Sequence, residues 1–277
     1  MEISTELQAM SQAAETTVEV RDWAPPAPPT DLIFDDGEPL ESNRHRIAMN
    51  VLIRSVKHEL PRQDCFIGGN MFIYYSDRQV RNQDFRGPDF FVVLGVDPDP
   101  TRLGWVTWQE EGRFPDVIVE FLSASTAAAD KGIKKDLYER VFKTRDYLIY
   151  DPFDPTSLQG WHLDLDQGYQ AIAPDDRGWL WCQSLQLWAG IWTGDIQGDV
   201  TAWLRFFDRD SNLVLLPEED AEQRAEIAEQ RAEEAEQQAE IAEQQAEIAE
   251  QRAETAEQRA DRLAERLREL GVDPGQV

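Results

Sequence analysis

The sequence predicts an α+β protein: an α-β-β-β-α-β core widened by β-hairpins and followed by one long α-helix. Three observations carry this. Two segments with helical apolar spacing bracket three short apolar runs, and a fourth such run follows the second segment. Beyond residue 217 the aromatic and β-branched residues stop and a seven-residue repeat begins.

Residues 1–30 end in DWAPPAPPT, whose prolines forbid regular helix or central strand, so a disordered leader is expected. Ser42 suits a helix N-cap. Met49, Leu52, Ile53, Val56 and Leu60 then fall on one helical face before Pro61 stops it. FIGGNMFIYY (66–75) reads as a strand kinked or bulged at Gly68 and Gly69. DFFVVLGV (89–96) and PDVIVEFLS (115–123) are continuous apolar runs, as in strands buried on both faces. Residues 129–142 place Ile133, Leu137 and Val141 on one helical face, and YLIYDP (147–152) is a strand ended by Pro152. The first three strands suit a meander, and the strand after the second helix a crossover partner. WHLDL and YQAIA flank the turn DQG. WLWCQ, SLQLWAGIW and WLRFF complete the domain, 31–217, as edge strands widening the sheet, with Trp179, Trp181, Trp188 and Trp192 read as core packing.

From Ala221 the heptads AEQRAEI, AEQRAEE, AEQQAEI, AEQQAEI, AEQRAET and AEQRADR run without Gly or Pro. Alanines spaced alternately four and three form a seam closed by Leu263, Leu267 and Leu270. In a parallel pair Arg224 faces Glu229 and Arg252 faces Glu257 of the second copy. Residues 218–270 therefore predict a helix of about 75–80 Å at 1.5 Å per residue, pairing as a coiled coil into a homodimer or higher homo-oligomer. A lone solvated helix is the alternative, since alanine favours helix in either case. Residues 271–277 read as a flexible tail.

The 277 residues carry a formal net charge of −27. That excludes a basic nucleic-acid coat, which needs a positive field. The charge is not confined to the repeat: residues 218–270 hold 18 acidic and 7 basic side chains, residues 1–217 hold 35 and 20. Two cysteines build no disulfide framework, and a reduced cytoplasm is the expectation. No apolar run approaches the roughly 20 residues of a membrane span, and the first 20 residues lack a secretory pattern.

Two acids interrupt the apolar strands. Asp89 begins FFVVL, and Glu120 lies between Val119 and Phe121. A buried carboxylate needs a partner, and a hard cation such as Mg²⁺ suits two converging ones, with water and phosphate completing its oxygen shell. Asp116 shares a strand face with Glu120 and is a candidate supporting group. Lys131, Lys134, Lys135 and Tyr138 share a face of the next helix and offer positive charge. Glu41, just before the first helix, could reach the same cleft. Arg44, Arg46, Arg54, Lys57, Arg62, Arg78, Arg81, Arg86, Arg140, Lys143 and Arg145 supply the charge for a local positive groove.

GPDFFVVLG, PDVIVEFLSAST and DKGIKKDLYERVFKTRDYLIYDP resemble the Uma-type restriction endonuclease family, a bacterial branch of the PD-(D/E)XK nuclease superfamily. The resemblance covers roughly residues 30–215 and implies a restriction-endonuclease-like core. It also implies a DNA endonuclease using Mg²⁺ or Mn²⁺. Asp89 and Glu120 would bind the metal with the Phe121 carbonyl as a third ligand. Lys134 would position the attacking water, and Glu41 would orient the lysine, a water or a second cation. The usual Glu-x-Lys strand motif is Glu120, Phe121, Leu122 here. By the resemblance the lysine role would pass to Lys134 on the next helix, four residues after Asp130, and the family's SPST is SAST at 123–126. Tyr138 is read as packing against the strands. The competing reading is an idle nuclease-fold scaffold working through its helix as an interaction protein.

Overall fold

The computed structural model describes residues 32, 34, 42–60, 64–76, 85–123 and 125–271. Helix α1 (Asn43–Glu59) starts where expected, because Ser42 Oγ accepts the His45 amide at 3.1 Å. The chain then forms β1 (Cys65–Gly68), β2 (Ile73–Tyr74), β3 (Phe85–Arg86), β4 (Phe90–Leu94), β5 (Trp105–Val106) and β6 (Val117–Phe121). A helical segment, 127–142, leads to β7 (Asp146–Asp151). Strands β8 (Asp154–Asp164), β9 (Gly168–Ala171), β10 (Leu180–Cys182), β11 (Leu187–Ile196) and β12 (Asp199–Phe207) precede a final long helix.

The main sheet has the order β1-β4-β6-β7-β8-β9. β1, β4 and β6 are antiparallel neighbours, as a meander requires, and β7 lies parallel to β6 after the helical crossover. The expected α-β-β-β-α-β order is therefore present. The central strands β4, β6 and β7 are buried on both faces. Val117, Val119, Phe121, Leu148 and Tyr150 pack with α1 on one side. Ile118, Tyr147 and Ile149 pack with Tyr138 and Phe142 of the crossover helix on the other.

Three expectations are corrected. The run 66–75 is two strands in different sheets: β2 leaves β1 and pairs with β3 and β5. The bend lies at Gly69, where an added Cβ would stand 2.3 Å from the Asp89 carbonyl oxygen, and at Asn70, whose φ is 49°. Strands β10–β12 do not widen the main sheet as β8 and β9 do; they form a second three-stranded antiparallel sheet. Strand alternation turns Leu180, Cys182, Leu187 and Ala189 into the core. Trp179, Trp181, Trp188 and Trp192 are left only half-buried, with Trp179 stacked on Phe207 at 3.8 Å.

The crossover helix is the third correction. It is built from α2 (Ala127–Ala129), a π-helical turn (Asp130–Lys134), α3 (Lys135–Leu137) and a second π-helical stretch (Tyr138–Phe142). The wider π turns keep positions four apart in register. Asp130, Lys134, Tyr138 and Phe142 face inward, while Ile133 is 72% exposed and Val141 46%.

Helix α4 (Pro217–Glu269) has 53 residues, none of them buried. Its first turn is clasped to the body. Arg205, fully buried in β12, bonds both carboxylate oxygens of Glu219, Arg54 pairs with Glu218, and His58 Nε2 lies 2.9 Å from Asp220. Glu219 also accepts the Leu216 amide, and three acids sit at the positive end of the helix dipole. The expected leader at 1–30 and the tail beyond 271 lie outside the described residues.

Candidate active site

Strand alternation on β6 sends Glu120 to the same side as Ile118, under the crossover helix. Its side chain is 1% exposed. Tyr138 Oη donates to Glu120 Oε1 at 2.7 Å, and Lys134 Nζ lies 3.1 Å from Oε2. The same ammonium lies 2.7 Å from Asp130 Oδ1. Asp130 is also 1% exposed, and its Oδ2 has no hydrogen-bond partner among the described residues. Tyr147 Oη caps the helix turn by donating to the Asp130 carbonyl at 2.9 Å. Tyr138 thus bonds the strand carboxylate, which corrects its reading as packing alone.

Asp89 arrives from the neighbouring strand. Gly87-Pro88 precede it, and the Pro88 carbonyl accepts the Asn70 amide, so the bend after β1 supports the approach to β4. Asp89 Oδ2 accepts the Phe121 amide at 2.7 Å, which binds it to the residue beside Glu120. Asp89 Oδ1 lies 2.7 Å from Nε2 of His45. His45 is a buried residue of α1 whose ring meets Phe121 edge-on. Sequence reasoning missed it. The available signal was a histidine three residues past the cap Ser42, in the stripe that continues through Met49, Leu52 and Val56.

Burial is the largest influence on Glu120 and pushes its carboxyl up to about 8. Lys134 opposes this, Asp89 and Asp130 add to it, and the Tyr138 hydrogen bond works against it. Burial works against the charge on Lys134, but Glu120 and Asp130 outweigh it and hold the ammonium above its ordinary range. Burial, then Glu120, raises the Tyr138 phenol well above its usual value. The cluster is therefore a cation enclosed by acids, with more acid than base.

Asp89, Glu120 and Lys134 are brought together. Glu41 lies outside the described residues. Asp116 is not brought in: it precedes β6, accepts the Leu94 amide at 2.8 Å and joins the far end of the strands. Lys131 and Lys135 stay outside the cluster, Lys135 lying 4.2 Å over the Trp161 ring. Among the described residues, three basic side chains of the first third are each held by a separate partner. Arg44 is held by Asp199, Arg54 by Glu218 and Arg46 by Asn43. Arg62, Arg78 and Arg81 lie outside the described residues. Among the described residues no three His, Cys, Asp or Glu side chains form a group set to hold a metal ion, and no helix is long and apolar enough to cross a membrane.

Comparison with known proteins gives the family. A solved structure of a putative nuclease belonging to DUF820 from Anabaena variabilis ATCC 29413 is similar at 14% identity and a TM-score of 0.38. The match covers 53% of this chain and 76% of that one. No curated protein matches the chain. The family model named Uma2, described as putative restriction endonuclease, matches residues 19–196, well over half of the 277. The chain belongs to the Uma2 family of putative restriction endonucleases.

Proposed function

We propose that the protein is a divalent-cation-dependent endonuclease hydrolysing DNA phosphodiester bonds, with Asp89, Glu120 and Lys134 as its centre. One observation carries the reading. Lys134 Nζ, from the crossover helix, lies 3.1 Å from Glu120 Oε2 in the middle of the sheet, although no local structure requires the two to meet.

The donor set suits Mg²⁺ or Mn²⁺. Both strand side chains are hard oxygen donors, and each carboxylate oxygen has lone-pair capacity beyond its present hydrogen bond. Two carboxylates with water and phosphate are the usual shell of Mg²⁺. Burial, and after it the neighbouring Asp89 and Asp130, raises Glu120, and a bound cation would offset both by favouring the charged carboxylate. Asp89 and Glu120 would hold the ion, with the Phe121 carbonyl as a further ligand, and when bound it would supply Lewis-acid stabilisation of the phosphate oxygens.

The chain's own residues divide the remaining work. Lys134 offers N–H donors to orient an attacking water and to offset charge at phosphorus. Asp130 and Glu120 hold that ammonium in place. His45 and the Phe121 amide fix the Asp89 carboxylate from both oxygens. Tyr138 fixes Glu120. Incubating plasmid DNA with Mg²⁺ and following nicking tests the reading. Wild type nicks and Glu120→Ala does not; equal activity removes Glu120 from the mechanism.

A second proposal concerns assembly. Beyond its clasped first turn, helix α4 leaves Ile227, Ile241, Ile248 and Leu263 exposed and no residue buried. These features support self-association through residues 221–270, which would set two nuclease sites in one particle. Sedimentation of the full chain against a chain ending at Asp220, which keeps the clasp, separates a dimer from a monomer.

A further inference from the structure

At the end of β6 and β7 away from Glu120 lies an open groove of about 640 Å³. Its polar lining is Lys143, Arg145, His162, Gln183, Ser184 and Gln186, and no carboxylate lines it. Leu163 and Leu165 complete the wall, and in a chain of net charge −27 a cleft lined by two cations and no carboxylate is a local reversal of field. We propose that this groove is a second ligand site, recognising a phosphate group.

The site is built from beneath by one buried acid. Asp146, at the start of β7, is fully buried. Its Oδ1 lies 2.7 Å from His162 Nδ1 and its Oδ2 accepts the Ser184 amide at 2.8 Å. One carboxylate thus ties the main sheet to the turn between β10 and β11 and fixes two of the lining residues. With Nδ1 engaged, the imidazole has Nε2 left to meet a ligand. Ser184 Oγ is buried and has no hydrogen-bond partner among the described residues. Such a hydroxyl calls for an acceptor, which a phosphate oxygen supplies.

The cations are available. Arg145 is 64% exposed and reaches Asp116 only at 3.6 Å. Lys143 is exposed and held in the left-handed region, φ 56°, and Gln186 on the facing rim has φ 59°. Lys143 takes this conformation as the C-cap of the crossover helix, which fixes where its side chain starts. Asp164 lies beyond His162, but its Oδ1 is occupied by the amides of Asp166 and Gln167 in its own turn. The Gln186 amide is already spent on the Gln183 carbonyl, but Lys143, Arg145, the Gln183 amide, the Ser184 hydroxyl and the His162 imidazole give the convergent donors that several phosphate oxygens need.

The groove is separate from the carboxylate cluster. Val117 pairs with Asp146 and Glu120 with Ile149, three residues or about 10 Å further along the strands. Asp146 also alternates with Tyr147 and Ile149, which face the cluster. The inference does not depend on the nuclease reading.

Calorimetry on the full chain in EDTA tests it with three probes: inorganic phosphate, adenosine 5′-monophosphate and a 20-residue single-stranded oligonucleotide. At least one probe binds wild type. Lys143→Gly with Arg145→Gln weakens it at least tenfold, glycine being suited to the left-handed position. Gln183→Glu, which places a carboxylate in the groove, weakens it in the same sense, and Glu247→Gln, on the exposed length of α4, leaves it unchanged. Binding of the mononucleotide identifies a free phosphate ligand. Binding of the oligonucleotide alone, with a salt slope reduced by about 1–2 in the double variant, identifies strand phosphates. Absence of binding by all three probes at millimolar concentration overturns the inference. So does unchanged affinity in both groove variants.

Discussion

Tyr138 donates a 2.7 Å hydrogen bond to Glu120 Oε1 from within a fully buried ring. The phenol is an integral part of the acidic cluster, because it supplies a donor to an oxygen that water does not reach. Tyr138→Phe removes that donor and leaves the carboxylate oxygen unsatisfied. The expected cost is about 1–3 kcal/mol of stability, measured by urea unfolding. Replacement without loss would show that Glu120 finds another donor.

The carboxyl of Glu120 also makes stability depend on pH. Its value is raised from 4.5 to about 8 in the folded chain, chiefly by burial. Between those values the folded state holds a proton that the unfolded state has released. Stability of the metal-free protein therefore falls as pH rises from about 4.5 to 8, and levels off above. Exposed carboxylates such as Asp99 and Asp154 are lowered and titrate beneath this window. Lys134 is raised from 10.5 and changes charge above it. Urea midpoints across pH 4.5–9 in EDTA should decline for wild type and stay flat for Glu120→Gln.

His45 holds one oxygen of Asp89 while the Phe121 amide holds the other. His45→Ala keeps the carboxylate but loosens its aim. The expected result is a 10–100-fold weaker apparent Mg²⁺ affinity in the nicking assay, with most of the rate recovered at saturating metal. A variant whose metal dependence is unchanged would make His45 a packing residue.

Arg205 and Glu219 form the inner pair of the helix clasp, the guanidinium fully buried and the carboxylate one quarter exposed. Glu219→Ala strands a buried cation whose remaining partner is the Val214 carbonyl. A loss of about 3–5 kcal/mol is expected by thermal or urea unfolding. Arg205→Met combined with Glu219→Leu removes both charges and should restore most of it. Equal destabilisation in both variants would show that packing, not charge, governs the joint.

Legibility followed how unusual each residue is in its surroundings. Asp89 and Glu120 stood out because carboxylates are expensive inside apolar strands, and the strands appeared within two residues of their expected ends. Helical spacing put Lys134 on one face with Lys131, Lys135 and Tyr138, and family resemblance singled it out among them. That spacing turned Ile133 and Val141 inward, where the structure has Asp130 and Tyr138. A 3.6-residue period cannot reveal π turns, so the register of this helix was hidden. His45 looked like any residue near a helix start. The second sheet was hidden for another reason: alternation shows which face of β10 and β11 is buried, not which strands they join.

The bend at Gly69 does more than turn the chain. The first atom of any side chain there would collide with the main-chain oxygen of Asp89, and next with Ile53 and Met49 of α1. Bulk at position 69 would push aside the strand entrance that presents the carboxylate. The emptiness beside this glycine acts as a gauge block, and mutational tolerance at a position with no chemistry of its own would report on the alignment of the carboxylate cluster.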